Sequence, residues 1–172
     1  MSGPVLIVVS GEPGSGKTTL AHALARELGC PAICRDEIRE GVVRAGTPDP
    51  GMLHTFETFF EVLTVLARAG VTTVAEAAFQ DKLWRPRLET LSGLIGIRVV
   101  RCTVRPEVSR DRIVQRMGHS ANRAAHDDAG LLRKLEAGEN TWQPITLPVP
   151  ALTVDTTDGY SPGLAEIVAF SS

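Results

Sequence analysis

Three cysteines among 172 residues cannot all pair within one chain, and Cys30 and Cys34 have no histidine at zinc-finger spacing. Buried, reduced thiols are therefore expected rather than a disulfide framework or a zinc finger. Charge of either sign is also scarce in excess: 18 Lys and Arg stand against 20 Asp and Glu, for a net charge of −2. That lacks the broad basic surplus of a nonspecific nucleic-acid binder. No apolar run approaches a membrane span. The one near the N-terminus is a strand's length, has no basic start and leads to no cleavage site, so a cytoplasmic protein is expected. Internal repeats, low-complexity runs and linkers are absent as well. The length then suits a single domain, 1–172, able to bury a sheet and its central helices.

What the sequence does contain is the run Gly11-Glu12-Pro13-Gly14-Ser15-Gly16-Lys17-Thr18, which fills every fixed position of the Gly-x-x-x-x-Gly-Lys-Ser/Thr template. The apolar stretch Val5-Leu6-Ile7-Val8-Val9 leads into it. After Thr18, the residues Leu20, Ala21, Leu24, Ala25 and Leu28 recur at helical spacing, with Gly29 as a stop. Strand, glycine-rich loop and helix therefore stand in the order a phosphate cradle needs. Backbone N–H groups of the loop turn toward phosphate oxygens, and the helix adds its positive N-terminal end. Lys17 is expected to reach the β and γ phosphates, and the Thr18 hydroxyl to join the oxygen shell of Mg²⁺. The expected ligand is Mg-ATP or another nucleoside triphosphate.

Strand-like segments at 5–10, 32–34, 71–75, 98–103 and 152–154 alternate with helical patterns. Such alternation predicts an α/β fold with a parallel sheet covered by helices on both faces. Proline and glycine punctuate loops at 46–51 and 144–150. Residues 52–69 read as a helix with Phe56, Phe59, Phe60, Leu63 and Leu66 as its apolar stripe. His54 and Glu57 fall mostly elsewhere, as solvated surface or as weak substrate-site candidates. Trp84, Trp142 and Phe79 are assigned to core packing.

A phosphate loop alone does not distinguish a kinase from a switch, so an acceptor-activating group is needed. Asp36 follows the second strand-like segment, at the end of the sheet where ligands gather. Either it orients an acceptor hydroxyl and takes its proton, or it caps the helix that runs from Glu37 toward Arg44. Arg39, one turn further, can face the same cleft as Asp36 and clamp an anionic acceptor, or it is a plain surface charge.

Taken together, these residues resemble the polynucleotide-kinase-like branch of small P-loop kinases, more distantly related to chloramphenicol phosphotransferase and zeta-toxin kinases. The loop Gly11-Glu12-Pro13-Gly14-Ser15-Gly16-Lys17-Thr18-Thr19 looks like the family loop. Arg35-Asp36-Glu37-Ile38-Arg39 is similar to its Arg-Asp-Asp-x-Arg segment. The run Pro106-Glu107-Val108-Ser109-Arg110-Asp111-Arg112-Ile113-Val114-Gln115-Arg116 looks like its lid helix. The resemblance implies a five-stranded, nucleoside-kinase-like fold with a small helical lid at about 106–127, and the use of ATP and Mg²⁺. It assigns Asp36 as general base and Arg35 and Arg39 to the acceptor side. Arg112 and Arg116, on one helix face, become stabilisers of triphosphate charge, with Arg123 assisting from the lid.

One departure is Glu76, which ends the third strand-like segment where P-loop proteins commonly carry aspartate. Glu76 is read as an outer-shell Mg²⁺ ligand or acceptor contact, with a salt-bridged strand end as the structural alternative. Ala77 and Ala78 replace the family's polar residues there. The segment 154–159 resembles an adenine-side loop, and a simple strand-to-helix turn reads equally well. The expected activity is transfer of the γ-phosphoryl group to a hydroxyl of a small molecule such as a nucleoside, sugar, nucleotide-sugar or antibiotic. A polynucleotide 5′-hydroxyl, tracked by Arg35, Arg39, Arg85 and Arg87, is the runner-up. A nucleotide-dependent switch or ATPase without an acceptor is the third.

Overall fold

A computed structural model describes residues 3–48, 51–117, 126–139 and 142–172. Its centre is β1 (Val5–Gly11), buried along its whole length. Side chains alternate across a strand, so β1 serves two cores at once. Leu6 and Val8 pack with Phe56, Phe59, Phe60, Phe79, Trp84 and Leu88 on one face. Val5, Ile7 and Val9 pack with Leu20, Leu24, Val100 and Ile167 on the other.

Those helices are α1 (Lys17–Leu28) and α7 (Leu164–Ser171) on one side, and α3 (Gly51–Arg68) and α4 (Asp81–Ser92) on the other. Strands β2 (Ala32–Cys34), β3 (Thr73–Glu76), β4 (Gly96–Thr103) and β5 (Ala151–Asp155) complete a parallel sheet in the order β2-β3-β1-β4-β5. The remaining helices are α2 (Arg35–Arg44), α5 (Pro106–Met117) and α6 (Asp128–Glu136). The connection after β1 runs toward β2 and that after its neighbour β4 runs the opposite way, toward β5, which opens a crevice at the carboxyl ends of β1 and β4. The glycine-rich loop occupies that point.

The expected single-domain α/β architecture and all five strands are present, with shifted ends. The third strand starts at Thr73 rather than residue 71. Gly70 (φ 68) closes α3, and the Val71 N–H is spent on the Leu66 carbonyl, so Val71 belongs to the helix cap. In α3, Leu66 is half-buried and Ala67 takes the innermost place beside Phe56, Phe59, Phe60 and Leu63. Trp84 and Phe79 lie in the core, in edge-to-face contact at 4.9 Å, whereas Trp142 is half-buried. All three cysteines are free; Cys34 and Cys102 are buried and Cys30 is only partly so. Among the described residues no helix is long and apolar enough to cross a membrane.

Phe59 is fully buried and touches the Phe60, Phe79 and Trp84 rings. Phe59→Ala should therefore lower the unfolding free energy by roughly 3–5 kcal/mol, measured by urea titration with an unchanged m-value.

Candidate active site

The cradle is built from backbone. Gly14 and Gly16 adopt φ of 78° and 73°, which turns the loop back on itself before α1 at little steric cost. The cap residue Gly16 has no side chain to cap α1, and no acidic residue lies in its first turn. Its amide donors and positive end are therefore not neutralised locally, as an anion site requires. Lys17 is held back over the loop, with Nζ donating to the Glu12 carbonyl at 3.4 Å and lying 4.0 Å from Glu76 Oε1. The Thr18 hydroxyl donates to Glu76 Oε2 at 3.1 Å.

Glu76 is 2% exposed and occupies the last position of β3, opposite Val9 of β1 and Cys34 of β2. Burial pushes its carboxyl above the usual range and the nearby Asp36 adds to the rise, while Lys17, Thr18 and Cys34 oppose it. The longer glutamate arm thus reaches both Lys17 and Thr18 from the sheet end. An exposed threonine oxygen beside a buried carboxylate is a hard-oxygen donor set, and it fits Mg²⁺.

A cleft of about 600 Å³ opens over the loop. Gly14, Gly16, Lys17, Thr18 and Thr19 line one side, Asp36, Glu37 and Glu40 another, and Arg112, Arg116, Thr156, Gly159 and Tyr160 complete it. The fold thus brings Asp36 and both lid-helix arginines to the phosphate loop. The capping alternative for Asp36 does not hold. Helix α2 begins at Arg35 with Cys34 as its cap residue and no side-chain cap bond, which places Asp36 inside the first turn. Its carboxylate, about half exposed, meets Arg35 Nη1 at 3.3 Å.

Helix α5 is fastened to the loop at its base. Ser109 Oγ donates to the Pro13 carbonyl at 2.8 Å, and Arg112 donates to Thr156 O at 2.6 Å and to Gly14 O at 3.4 Å. A Cβ on Gly14 would lie 2.8 Å from the Ser109 carbonyl oxygen, so this close approach requires glycine. Arg116, one turn on, pairs with Asp128 Oδ1 of α6 at 3.0 Å. The segment 154–159 contributes through Thr156, whose hydroxyl donates to the Ser15 carbonyl at 2.6 Å.

Other expected residues lie off the cleft lining. Gly11, Glu12, Pro13 and Ser15 shape the loop from behind. Arg35 stacks its guanidinium 5.8 Å over Trp84, and Arg39 is half-buried on α2. His54 is exposed, and Glu57 is taken by Arg87 at 2.8 Å. Arg85 is held by Glu89 at 2.8 Å. Arg123 and much of the expected lid 106–127 fall outside the described residues; α5 forms its first half. Sequence reasoning missed Glu40 and Tyr160 as lining residues, and had Thr156 and Gly159 only as part of the segment 154–159. For Glu40 a signal existed, since it follows Asp36 by four residues and shares its helix face. Tyr160 had none.

Glu76 offers a measurable signature. Because its folded carboxyl titrates above the unfolded one, the folded state binds the extra proton, and the wild type loses stability as pH rises from the ordinary glutamate range toward the raised value. Unfolding free energies measured in chelator should show Glu76→Gln gaining on the wild type as pH rises above the ordinary glutamate range. A constant difference would refute the assignment.

Three comparisons bear on this site. An uncharacterized protein of Mycobacterium tuberculosis is 27% identical over 141 residues, covering 73% of this chain and 28% of that protein; the match thus spans little more than a quarter of the relative's length. The crystal structure of a suspected kinase from Chloroflexus aurantiacus superposes with a TM-score of 0.80 at 26% identity, over 98% of this chain and 97% of the other. The APS kinase of Mycobacterium tuberculosis, in complex with AMPPNP and APS, shares the fold with a TM-score of 0.63 at 21% identity, over 98% and 96% of the two chains. Residues 6–137 match the AAA_33 family, described as an AAA domain; the chain belongs to that family and has the fold of a small P-loop kinase.

Proposed function

We propose that the protein is an ATP-dependent kinase that transfers the γ-phosphoryl group to a hydroxyl of a small molecule. The observation that carries this is the shared cleft: Asp36 and Gly14, Gly16, Lys17, Thr18 and Thr19 line the same cavity of about 600 Å³, which has room for an alcohol between a carboxylate and a triphosphate. A loop built for a switch would need no second carboxylate facing it.

In this reading, the start of α1 and Lys17 bind the β and γ phosphates. Thr18, and Glu76 through water, would hold Mg²⁺, which would supply positive charge to offset that of the triphosphate. Asp36 orients the acceptor hydroxyl and takes its proton as the oxygen attacks the γ-phosphorus. The bond from that phosphorus to the bridging oxygen of the β-phosphate breaks, leaving ADP and a phosphate ester. Arg112, already hydrogen-bonded to the Gly14 carbonyl, stabilises charge on the transferring group. Arg116 joins it by exchanging Asp128 for a phosphate oxygen, a step that requires α5 and α6 to separate at that point. Arg123 is assigned to the lid side of the acceptor, and Arg35 and Arg39 hold the α2 side.

A polynucleotide acceptor is disfavoured by the charge around the cleft. Glu37 and Glu40 line it beside Asp36, while Arg85 and Arg87 are already matched by Glu89 and Glu57. An anionic strand would meet carboxylates where it needs cations.

Asp36→Asn should keep ATP affinity within about threefold and lose at least 100-fold in acceptor-dependent turnover. Lys17→Ala should lose nucleotide affinity, turnover, or both, by a comparable factor. Transfer of label from γ-labelled ATP into a pooled set of hydroxyl compounds checks both. Full transfer by the Asp36→Asn variant removes the base, and inorganic phosphate as the sole product in the wild type removes the kinase.

A further inference from the structure

The fold assembles a second constellation that the cysteine spacing did not foretell. His22 lies in the second turn of α1, Cys34 is the last residue of β2 and Glu37 lies in the first turn of α2. His22 Nε2 is 2.6 Å from Glu37 Oε1 and 3.7 Å from Cys34 Sγ. All three donor atoms lie within 4.8 Å of one another. An imidazole nitrogen, a sulfur and a carboxylate oxygen from three elements meet at one point.

That set matches one class of ligand. Nitrogen, thiolate and carboxylate together select borderline divalent ions rather than Mg²⁺ or Ca²⁺. With metal bonds of about 2.0 Å to nitrogen or oxygen and 2.3 Å to sulfur, tetrahedral ligands sit about 3.3–3.6 Å apart. The sulfur–imidazole separation is already close to this. The imidazole–carboxylate pair must open by about 0.7 Å on the same geometry, which two side chains that are each nearly half exposed can do by rotation. Their exposure also gives an ion its way in, while Cys34 closes the inner side at 2% exposure.

The surroundings favour a cation. Burial and the charges of Glu76, Glu37 and Asp36 push the Cys34 thiol far up, so without a metal it stays protonated and is a poor nucleophile. The same carboxylate field attracts a dication.

We propose that His22, Cys34 and Glu37 form a Zn²⁺ site with three protein ligands and one open position. A filled site ties α1 to the first turn of α2, where Asp36 lies between the ligands Cys34 and Glu37. Zinc binding therefore slows phosphoryl transfer, a regulatory consequence that rests on the kinase function proposed above.

Cobalt(II) reports the site independently of activity, because a thiolate ligand produces a charge-transfer band in the near ultraviolet and a tetrahedral ion strong visible bands. Titration of the intact chain should give one Co²⁺ per molecule with both bands, displaced by one equivalent of Zn²⁺. The bands should vanish in Cys34→Ser and persist in Cys30→Ser and Cys102→Ser. In His22→Ala, a half-exposed position that the fold tolerates, affinity should fall about tenfold or more. No charge-transfer band in the wild type, or a band that survives Cys34→Ser, overturns the site. One free equivalent of Zn²⁺ should slow wild-type turnover several-fold and leave His22→Ala unaffected. Equal inhibition of both overturns the regulatory role, whereas absence of any turnover strikes the kinase assignment and leaves the cobalt result standing.

Discussion

The arrangement depends on a helix start left without a cap. At the head of α1 the cap residue Gly16 has no side chain to take up the first amides, no acidic residue lies in the first turn, and Lys17 adds a full charge beside them. Such concentrated positive potential is costly to keep in a compact protein unless an anion is destined for it. The chain answers it with one buried carboxylate, Glu76, set at the end of β3 where it reaches Lys17 and Thr18 together. Neighbouring features serve to hold that balance open on one side, toward the cleft, and closed on the other.

The closed side is packing. Central β1 is flanked on both edges and covered on both faces, which fixes the take-off point of the loop. Thr156 pins the loop from the β5 side and Ser109 from α5, each with a single short bond to a loop carbonyl. The carbonyls of Glu12, Pro13, Gly14 and Ser15 are thus all spent on the protein, the first of them on the Ser15 N–H and on Lys17. Gly14 makes the α5 contact feasible, so one residue serves both the turn and the seating of the arginine-bearing helix.

The fold was largely legible because its signals are local. The unbroken apolar run from Val5 to Val9, the helical spacing from Leu20 to Leu28 and the glycine pattern between them need only short-range patterning and backbone sterics. Asp36 could be located because it follows a strand at the sheet end where ligands collect. What escaped is what depends on distant pairing. Nothing local links Thr156 to Ser15, Tyr160 to the cleft wall, or His22 to Cys34. Arg112 and Arg116 were recognised by resemblance, but not that the chain already supplies carbonyls and Asp128 as their partners. The helix beginning at Arg35 instead of Glu37 removes the capping alternative for Asp36, a difference of two residues that propensity does not resolve.

The central claim is that Asp36 and the triphosphate cradle confront one another across a space sized for an alcohol. A crystal structure with Mg²⁺ and a non-hydrolysable ATP analogue tests it most directly. The account predicts triphosphate oxygens on the amides of Gly14 to Thr18, the metal on Thr18, and a carboxylate oxygen of Asp36 within about one hydroxyl group's reach of the γ-phosphate, roughly 5–6 Å allowing a hydrogen bond and an attack distance in series. An Asp36 side chain turned out of the cleft, or a nucleotide seated with its terminal phosphate away from α2, would contradict it.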